Sequence, residues 1–127
     1  MEILGIGNDI IAISRIAASI EKHGQRFIDK VFTVKEREYC EGYGSDRIGH
    51  YAGRFAAKEA AVKALGTGFS QGISWHDIEI LNDSNGKPYV VVSDIIIEKF
   101  GGIDIMISLS HCHSSATAVA LAFINDQ

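Results

Sequence analysis

The 127-residue chain contains only one proline, Pro88, and two cysteines, Cys40 and Cys112. So little proline excludes a proline-rich protein, and the 13 glycines follow no collagen-like triplet. Two cysteines cannot build a disulfide framework and are typical of a reducing compartment. Hydrophobic residues make up 46% and charged residues 22%, as in an ordinary folded domain, which excludes disorder. The length predicts a single domain, residues 1–127.

Long apolar segments are also lacking. The longest nearly apolar stretch, Ala116–Ile124, has nine residues, whereas a membrane helix needs roughly 20. The opening residues, Met1–Gly5, lack the basic and then apolar pattern of an export signal. We therefore predict a cytoplasmic protein without a membrane partner.

Basic residues are outnumbered, with 12 lysines and arginines against 16 acids and a net charge of −4. This balance argues against nonspecific nucleic-acid binding, and we expect no nucleic-acid partner. Ten of the 12 basic residues nevertheless lie between Arg15 and Lys63. We expect an acidic partner or a phosphorylated ligand to bind this half, although solvated helix faces would give the same pattern.

The first half of the chain is expected to form a strand followed by helices. Glu2–Ile11 predicts a buried strand in which Gly5 and Gly7 allow close approach of another backbone. Gly24 is expected to interrupt the helical stripe that follows. Thr33–Glu36 has the pattern of a capping box that opens a second helix.

The second half is expected to contain one strong helix and then mostly strands, giving an α+β fold. Arg54–Leu65 is rich in helix-forming residues, and Gly66 is suited to cap its end. Gly42, Gly44 and Ser45 are expected to break the preceding helix, and another helix is expected to start at Asp46 or Ile48. The remaining predicted elements are a hairpin of Ile78–Leu81 and Tyr89–Val92 turned at Asn85 and Gly86, a helix at Asp94–Phe100, and strands at Ile103–Leu109 and Ala116–Ile124.

Asp9 is the only acid in the apolar run GIGNDII. An unpaired carboxylate is costly to bury, so Asp9 is expected to cap a helix or to meet a cation. Taken alone, the residue fits a cap for the following helix best.

Lys58, Glu59 and Lys63 lie within six residues of the strong helix. They could form a surface ion-pair face, with Glu59 and Lys63 at the favourable i,i+4 spacing. Alternatively, Glu59 and Asp9 could jointly hold a hard divalent cation such as Mg²⁺, which binds one or two carboxylates together with phosphate oxygens. Lys63, one turn further on, would then face the same phosphate.

The tripeptide His111-Cys112-His113 resembles a zinc motif only superficially. Adjacent residues of a strand point to opposite faces, and no second Cys/His pair has a usable spacing. Nothing marks Cys112 as an activated nucleophile. His111 is the better candidate, as a phosphate contact at a strand end.

Four segments occur in the order GIGNDIIAISRI, GRFAAKEAAVKALGTG, DIEILNDSNGKPYV and ISLSHCHSSATAVAL. Their motifs are a D-x5-R of Asp9 and Arg15 and an F-x2-K-E-A-x2-K of Phe55, Lys58, Glu59, Ala60 and Lys63. From Ile3 to about Ala122, the chain thereby resembles the holo-acyl-carrier-protein synthases, the short bacterial 4′-phosphopantetheinyl transferases.

The resemblance implies a single-domain 4′-phosphopantetheinyl transferase fold, with one long helix packed on a mainly antiparallel sheet and assembly into a homotrimer with shared active sites. It also implies Mg²⁺-dependent transfer of phosphopantetheine from coenzyme A to a serine of acyl carrier protein in fatty acid biosynthesis, releasing adenosine 3′,5′-bisphosphate. Asp9 and Glu59 would bind the metal, and Lys63 would neutralise phosphate charge. The implied coenzyme A contacts are Arg54, Gly66, Thr67, Asn85, Gly86, Lys87, Pro88 and His111.

The carrier protein is implied to dock on basic residues of the first helix and just beyond it, for which the candidates are Arg15, Lys22 and Arg26. Two other functions stay open at this stage. One is a non-catalytic subunit that binds coenzyme A or a nucleotide, and the other is a metal-dependent phosphohydrolase in which water replaces the serine.

Overall fold

The structure, a computed structural model, describes residues 1–125. The chain forms five α-helices and five strands within these residues, with short 3₁₀ turns at Gly44–Asp46 and Trp75–Asp77. In chain order the elements are β1 Glu2–Ala12, α1 Ile13–His23, α2 Gln25–Val31, α3 Val34–Glu41, α4 Arg47–Leu65, β2 Ile78–Asn82, β3 Pro88–Val92, α5 Asp94–Phe100, β4 Ile103–His111 and β5 Ser115–Ile124.

All strand pairings are antiparallel, and they form two sheets where one was expected. The larger sheet has the order β1-β5-β4, and β2 and β3 form a separate hairpin. Asp9 lies opposite Ala118 of the central strand β5, and Gly7 lies opposite Ala120. The predicted buried strand is therefore an edge strand, in which only Gly7 and Ile11 are buried.

The long helix α4 lies against the three-stranded sheet through small residues. An added Cβ on Gly5 would lie 2.2 Å from the carbonyl oxygen of Ala64, and one on Gly7 would lie 2.0 Å from that of Ala60. The two glycines thus allow the backbone contact that the sequence predicts. Both elements are rich in buried alanines, which are Ala52, Ala56, Ala57, Ala60, Ala61 and Ala64 on α4, and Ala116, Ala118, Ala120 and Ala122 on β5.

Local sequence signals account for most element boundaries. Gly24, with φ of 60°, separates α1 from α2, and Thr33 and Glu36 form the predicted capping box. Gly66 ends α4 in the left-handed conformation, as predicted. The helix expected to start at Asp46 or Ile48 begins at Arg47, and it continues without a break through the strong helical segment to Leu65.

No helix within residues 1–125 is long and apolar enough to cross a bilayer.

The helix–sheet contact gives a stability prediction. Gly7→Ala is expected to destabilise the fold by about 3 kcal/mol or more, since the added methyl group collides with the backbone of α4, which cannot move aside alone. Chemical denaturation measures the loss. Gly102→Ala is the matched control because nothing lies within 4 Å of an added Cβ there. Equal effects of the two substitutions would contradict this account.

Candidate functional site

Asp9 of β1 meets two charged residues of α4. The Lys63 ammonium donates to Asp9 Oδ1 at 2.9 Å and to the Asn8 carbonyl oxygen at 3.0 Å. The Asp9 side chain is 15% exposed and that of Lys63 49% exposed, so the pair lies at the surface edge of the helix–sheet contact. The helix-cap interpretation of Asp9 is wrong, because α1 begins after Ala12 without any side-chain cap.

Glu59 completes a group of two acids and one lysine, which we call the acid–lysine cluster. Burial and the neighbouring charge of Asp9 raise the pKa of Glu59, and the charge of Lys63 opposes this shift. The negative charges of Asp9 and Glu59 are therefore concentrated in one place and only partly neutralised. Such a place attracts a further cation.

The donor set of this cluster fits Mg²⁺. Magnesium is commonly held by one or two carboxylates, with the remaining ligands supplied by water and substrate phosphates. Residues 1–125 contain no group of three or more histidines, cysteines or acids that could enclose a metal ion. Asp9 and Glu59 therefore suit a metal shared with a phosphate ligand, and not a closed structural site.

Lys58 does not belong to this cluster, although it adjoins Glu59 in sequence. Its side chain is fully buried and forms an ion pair with Glu36 at 2.7 Å. The ammonium also donates to the carbonyl oxygens of Val31 and Trp75, at 2.8 and 2.9 Å. Burial lowers the pKa of Lys58, and Glu36 opposes this shift. The surface ion-pair interpretation is thus wrong for Lys58, which ties α4 to three other segments.

A second group of predicted site residues lines a cleft of about 320 Å³ on another face of α4. Arg54 comes from the helix, Gly86 from the β2–β3 turn, Pro88 from the start of β3, and His111 from the end of β4. Asn85 and Lys87 lie in the same turn, which is ordered because both backbone N–H groups donate to Asp83 Oδ1. Gly66 and Thr67 lie beyond the opposite end of α4 from this cleft.

Arg54 is buried, with 2% of its surface exposed, but it has no acidic partner. Its guanidinium lies 4.0 Å above the Tyr39 ring and donates to the side-chain oxygen of Asn82. Within the described part of the chain no carboxylate forms an ion pair with it, and its Nε lacks a hydrogen-bond partner. A buried, unneutralised cation facing a cleft is suited to bind an anion.

His50, which sequence reasoning missed, lines the cleft together with Arg54 and His111. Its ring stacks on Tyr43 with centroids 3.5 Å apart and meets the His111 ring edge-on at 4.9 Å. Burial lowers the pKa of His50, and the charges of His111 and Arg54 lower it further. The spacing could have revealed this neighbour, because His50 precedes Arg54 by four residues on one helix.

His111, Cys112 and His113 do not belong to any group of three or more histidines, cysteines or acids within residues 1–125 that could enclose a metal ion. His111 lies over Gly49, where an added Cβ would be 3.1 Å from the imidazole ring. Cys112 is exposed, and hydrogen bonding with Ser114 lowers the pKa of its thiol. All three residues line one groove of about 500 Å³ between the end of β4 and the start of α4.

A larger groove of about 600 Å³ lies between α2, α3 and the start of α4. Its two cations are already neutralised, because Arg37 pairs with Asp29 at 3.5 Å and Arg47 with Glu41 at 3.0 Å. This groove contains none of the predicted site residues. The smaller cleft beside Arg54 is therefore the better candidate for binding an anion.

The acid–lysine cluster and the cleft do not meet within one chain. None of Asp9, Glu59 and Lys63 lines the cleft. Arg54 and Glu59 are five residues apart on α4, which places them about 140° apart around the helix axis. The predicted docking residues Arg15, Lys22 and Arg26 are exposed on α1 and α2.

These features define a class of small α+β proteins with two separate charged groups. One group pairs two carboxylates with a lysine, and the other is an arginine–histidine cleft. Together the two groups are suited to bind a polyphosphate. The sequence model of the 4′-phosphopantetheinyl transferase superfamily matches residues 5–124. The chain belongs to this superfamily.

Relatives within the superfamily are holo-[acyl-carrier-protein] synthases. The chain is 61% identical to that of Protochlamydia amoebophila over 118 residues, which are 93% of this chain and 96% of the relative. It is 46% identical to that of Chlamydia pneumoniae over 122 residues, covering 96% and 98% of the two chains.

Solved structures of such synthases have the same fold. The Bacillus anthracis synthase in complex with CoA (3′,5′-ADP) has a TM-score of 0.83 and 36% identity, covering 98% of this chain and 100% of that one. The Helicobacter pylori synthase in complex with coenzyme A has a TM-score of 0.84 and 30% identity, covering 92% and 98%.

The contact between His50 and His111, which we call the histidine pair, predicts that the stability of the fold depends on pH. The lowered pKa of His50 means that folding favours its neutral ring. Its contribution to stability is present above the ordinary histidine pKa and is lost as the pH falls from about 7 to about 5. His50→Phe, which keeps an aromatic ring on Tyr43, is therefore expected to weaken this acid-induced loss of unfolding free energy.

Urea denaturation across this pH range measures the effect. His23→Gln, at the exposed end of α1, is the control and should leave the wild-type pH dependence unchanged. An identical pH dependence in His50→Phe and wild type would show that the histidine pair carries no such energy.

Proposed function

We propose that this protein transfers 4′-phosphopantetheine from coenzyme A to a serine of apo acyl carrier protein, in fatty acid biosynthesis. The observation that carries the proposal is the acid–lysine cluster, in which Asp9 meets Glu59 and Lys63 in a chain that matches the superfamily over residues 5–124. The names of its relatives indicate the acceptor, and two similar structures are described as complexes with coenzyme A or its fragment.

The reaction exchanges one phosphorus–oxygen bond for another. The serine oxygen bonds to the phosphorus next to the pantetheine arm while the pyrophosphate bond breaks, releasing adenosine 3′,5′-bisphosphate, and the hydroxyl proton is released to water. Such a transfer needs positioning and charge stabilisation more than a covalent protein group.

Asp9 and Glu59 would hold Mg²⁺ in this proposal, and Lys63 would stabilise phosphate charge. When bound, the metal supplies charge neutralisation at the pyrophosphate. Lys63 is suited to its role because its ammonium already lies beside Asp9 and remains half exposed, within reach of a ligand. A bound cation would relieve the repulsion between the carboxylates of Asp9 and Glu59, and this relief favours its binding.

The cleft would bind the phosphates at the adenosine end of coenzyme A. Arg54 and His111 supply cationic and hydrogen-bonding groups, and Gly86 and Pro88 border the cleft. Asn85 and Lys87, which adjoin Gly86 in the hairpin turn, would contact the same ligand. Gly66 and Thr67, at the Lys63 end of α4, would contact the ligand near the acid–lysine cluster.

We further propose a homotrimer in which each active site combines the acid–lysine cluster of one chain with the cleft of its neighbour. Two features support this arrangement. The two groups lie on different faces of α4, and the sheet surface remote from α4 exposes apolar side chains. Ile6, Ile10 and Met106 on this surface are 69%, 69% and 55% exposed, which is costly unless another surface covers them.

Arg15, Lys22 and Arg26 would bind the acidic carrier protein. All three are exposed, and they lie within the basic half of the chain. Charges at an interface rim mainly steer association and are screened by salt. We also propose that residues 1–127 constitute one 4′-phosphopantetheinyl transferase domain, and a cytoplasmic location stays a prediction.

Intact-mass analysis of apo acyl carrier protein incubated with this chain, coenzyme A and Mg²⁺ tests the function. The carrier protein should gain one phosphopantetheine. Asp9→Asn and Glu59→Gln are each expected to slow transfer by roughly a hundred- to a thousandfold, because each removes charge that stabilises the transition state. The double variant should be little worse, since the two residues act as one unit.

Glu98→Gln, an exposed acid on α5, is the matched control and should transfer at the wild-type rate. Coenzyme A that is consumed without modification of the carrier protein would indicate a phosphohydrolase. Coenzyme A that is bound but left intact would indicate a non-catalytic binding subunit.

Light scattering tests the assembly. The wild-type chain is expected to have about three times the mass of one chain at micromolar concentration. Ile6→Lys should dissociate it, because the added charge would be buried between subunits. Ile97→Lys changes an isoleucine of α5 that is 46% exposed and should leave the trimer intact. A fully active wild-type monomer would refute the shared site.

A further inference from the structure

The amide of Asn82 joins the cleft's arginine to the turn that borders it. The side-chain oxygen of Asn82 accepts a hydrogen bond from Arg54 Nη2. Its side-chain nitrogen donates to the carbonyl oxygen of Gly86 at 2.9 Å. Asn82 is the last residue of β2, so one side chain connects α4, the strand and the turn.

The guanidinium of Arg54 is oriented without being neutralised. Tyr39 covers one face of the group and Asn82 accepts from one edge, and both partners are uncharged side chains. A guanidinium has five N–H donors in a fixed plane, and Nε has no partner here. The full positive charge therefore stays available on a group whose position is fixed.

An aspartate at position 82 would have the same shape but a different electrostatic effect. It would pair with Arg54, and the buried cation would then have an internal counter-ion. Ligand anions would compete with that carboxylate for the same donors. The neutral amide thus keeps the charge of Arg54 for a ligand.

We propose that Asn82 is a positioning residue for anion binding: it holds Arg54 in the cleft as an unneutralised cation and couples it to the turn at Gly86. The inference rests on the proposed function for the identity of the anion, a phosphate group of coenzyme A.

Calorimetric titration of Asn82→Asp with coenzyme A tests the proposal. The dissociation constant is expected to rise by about tenfold or more, the equivalent of one hydrogen bond to a charged group. In steady-state transfer, the KM for coenzyme A should rise while kcat changes little. Asn82→Ala should also bind more weakly, since it loses both hydrogen bonds without adding charge.

Thermal unfolding separates positioning from a structural role and needs no ligand. Asn82→Asp is expected to melt at or above the wild-type temperature near neutral pH, because Arg54 gains a counter-ion. Asn82→Ala is expected to melt below it. Ser84→Asp adds the same charge to an exposed position of the turn and should change neither affinity nor melting temperature appreciably.

Wild-type affinity in Asn82→Asp would overturn the inference, and so would a melting temperature below that of Asn82→Ala. A weakening by Ser84→Asp equal to that by Asn82→Asp would also overturn it, since general charge would then explain both. The proposed function can fail separately. If the wild-type chain binds coenzyme A but transfers nothing, while Asn82→Asp still binds coenzyme A weakly, only the proposed function is refuted.

Discussion

The contact between α4 and the edge strand β1 is the constraint on which the rest of the structure depends. Gly5 and Gly7 carry no side chains, so the helix backbone at Ala60 and Ala64 lies directly on the strand. Any larger side chain would lift the helix away. This short separation brings Asp9, two residues after Gly7, within hydrogen-bond distance of Lys63. The acid–lysine cluster is therefore a product of backbone packing.

A buried ion pair fixes the orientation of the same helix from the other side. Lys58 and Glu36 are both fully buried, and the carboxylate also accepts from the backbone N–H groups of Thr33 and Ile80. Because these groups satisfy one another, α4 is joined to α3 and β2 and cannot rotate without exposing a charge. Glu59, the next residue, is consequently directed away from this pair and remains available to a ligand.

The candidate site, in contrast, is built from charges that the chain leaves incompletely neutralised. Asp9 raises the pKa of Glu59, and Arg54 is buried without an acid. Incompletely neutralised charges of this kind reduce the stability of the free protein. They are expected at sites where a bound ligand neutralises them. The excess charge is negative at the acid–lysine cluster, which suits a metal ion, and positive at the cleft beside Arg54, which suits a phosphate.

The sequence by itself determined most helix and strand boundaries to within one or two residues, the close approach at Gly7 and the motif residues, because caps, turns and periodicity act over a few neighbours. It could not determine that β1 is an edge strand or that Asp9 pairs with Lys63, 54 residues away. Nor could the sequence show that the Lys58 side chain is buried or that Arg54 has no acidic partner. Only the tertiary structure decided these points, because each depends on which distant segment covers a side chain, and burial and charge pairing are set by that packing.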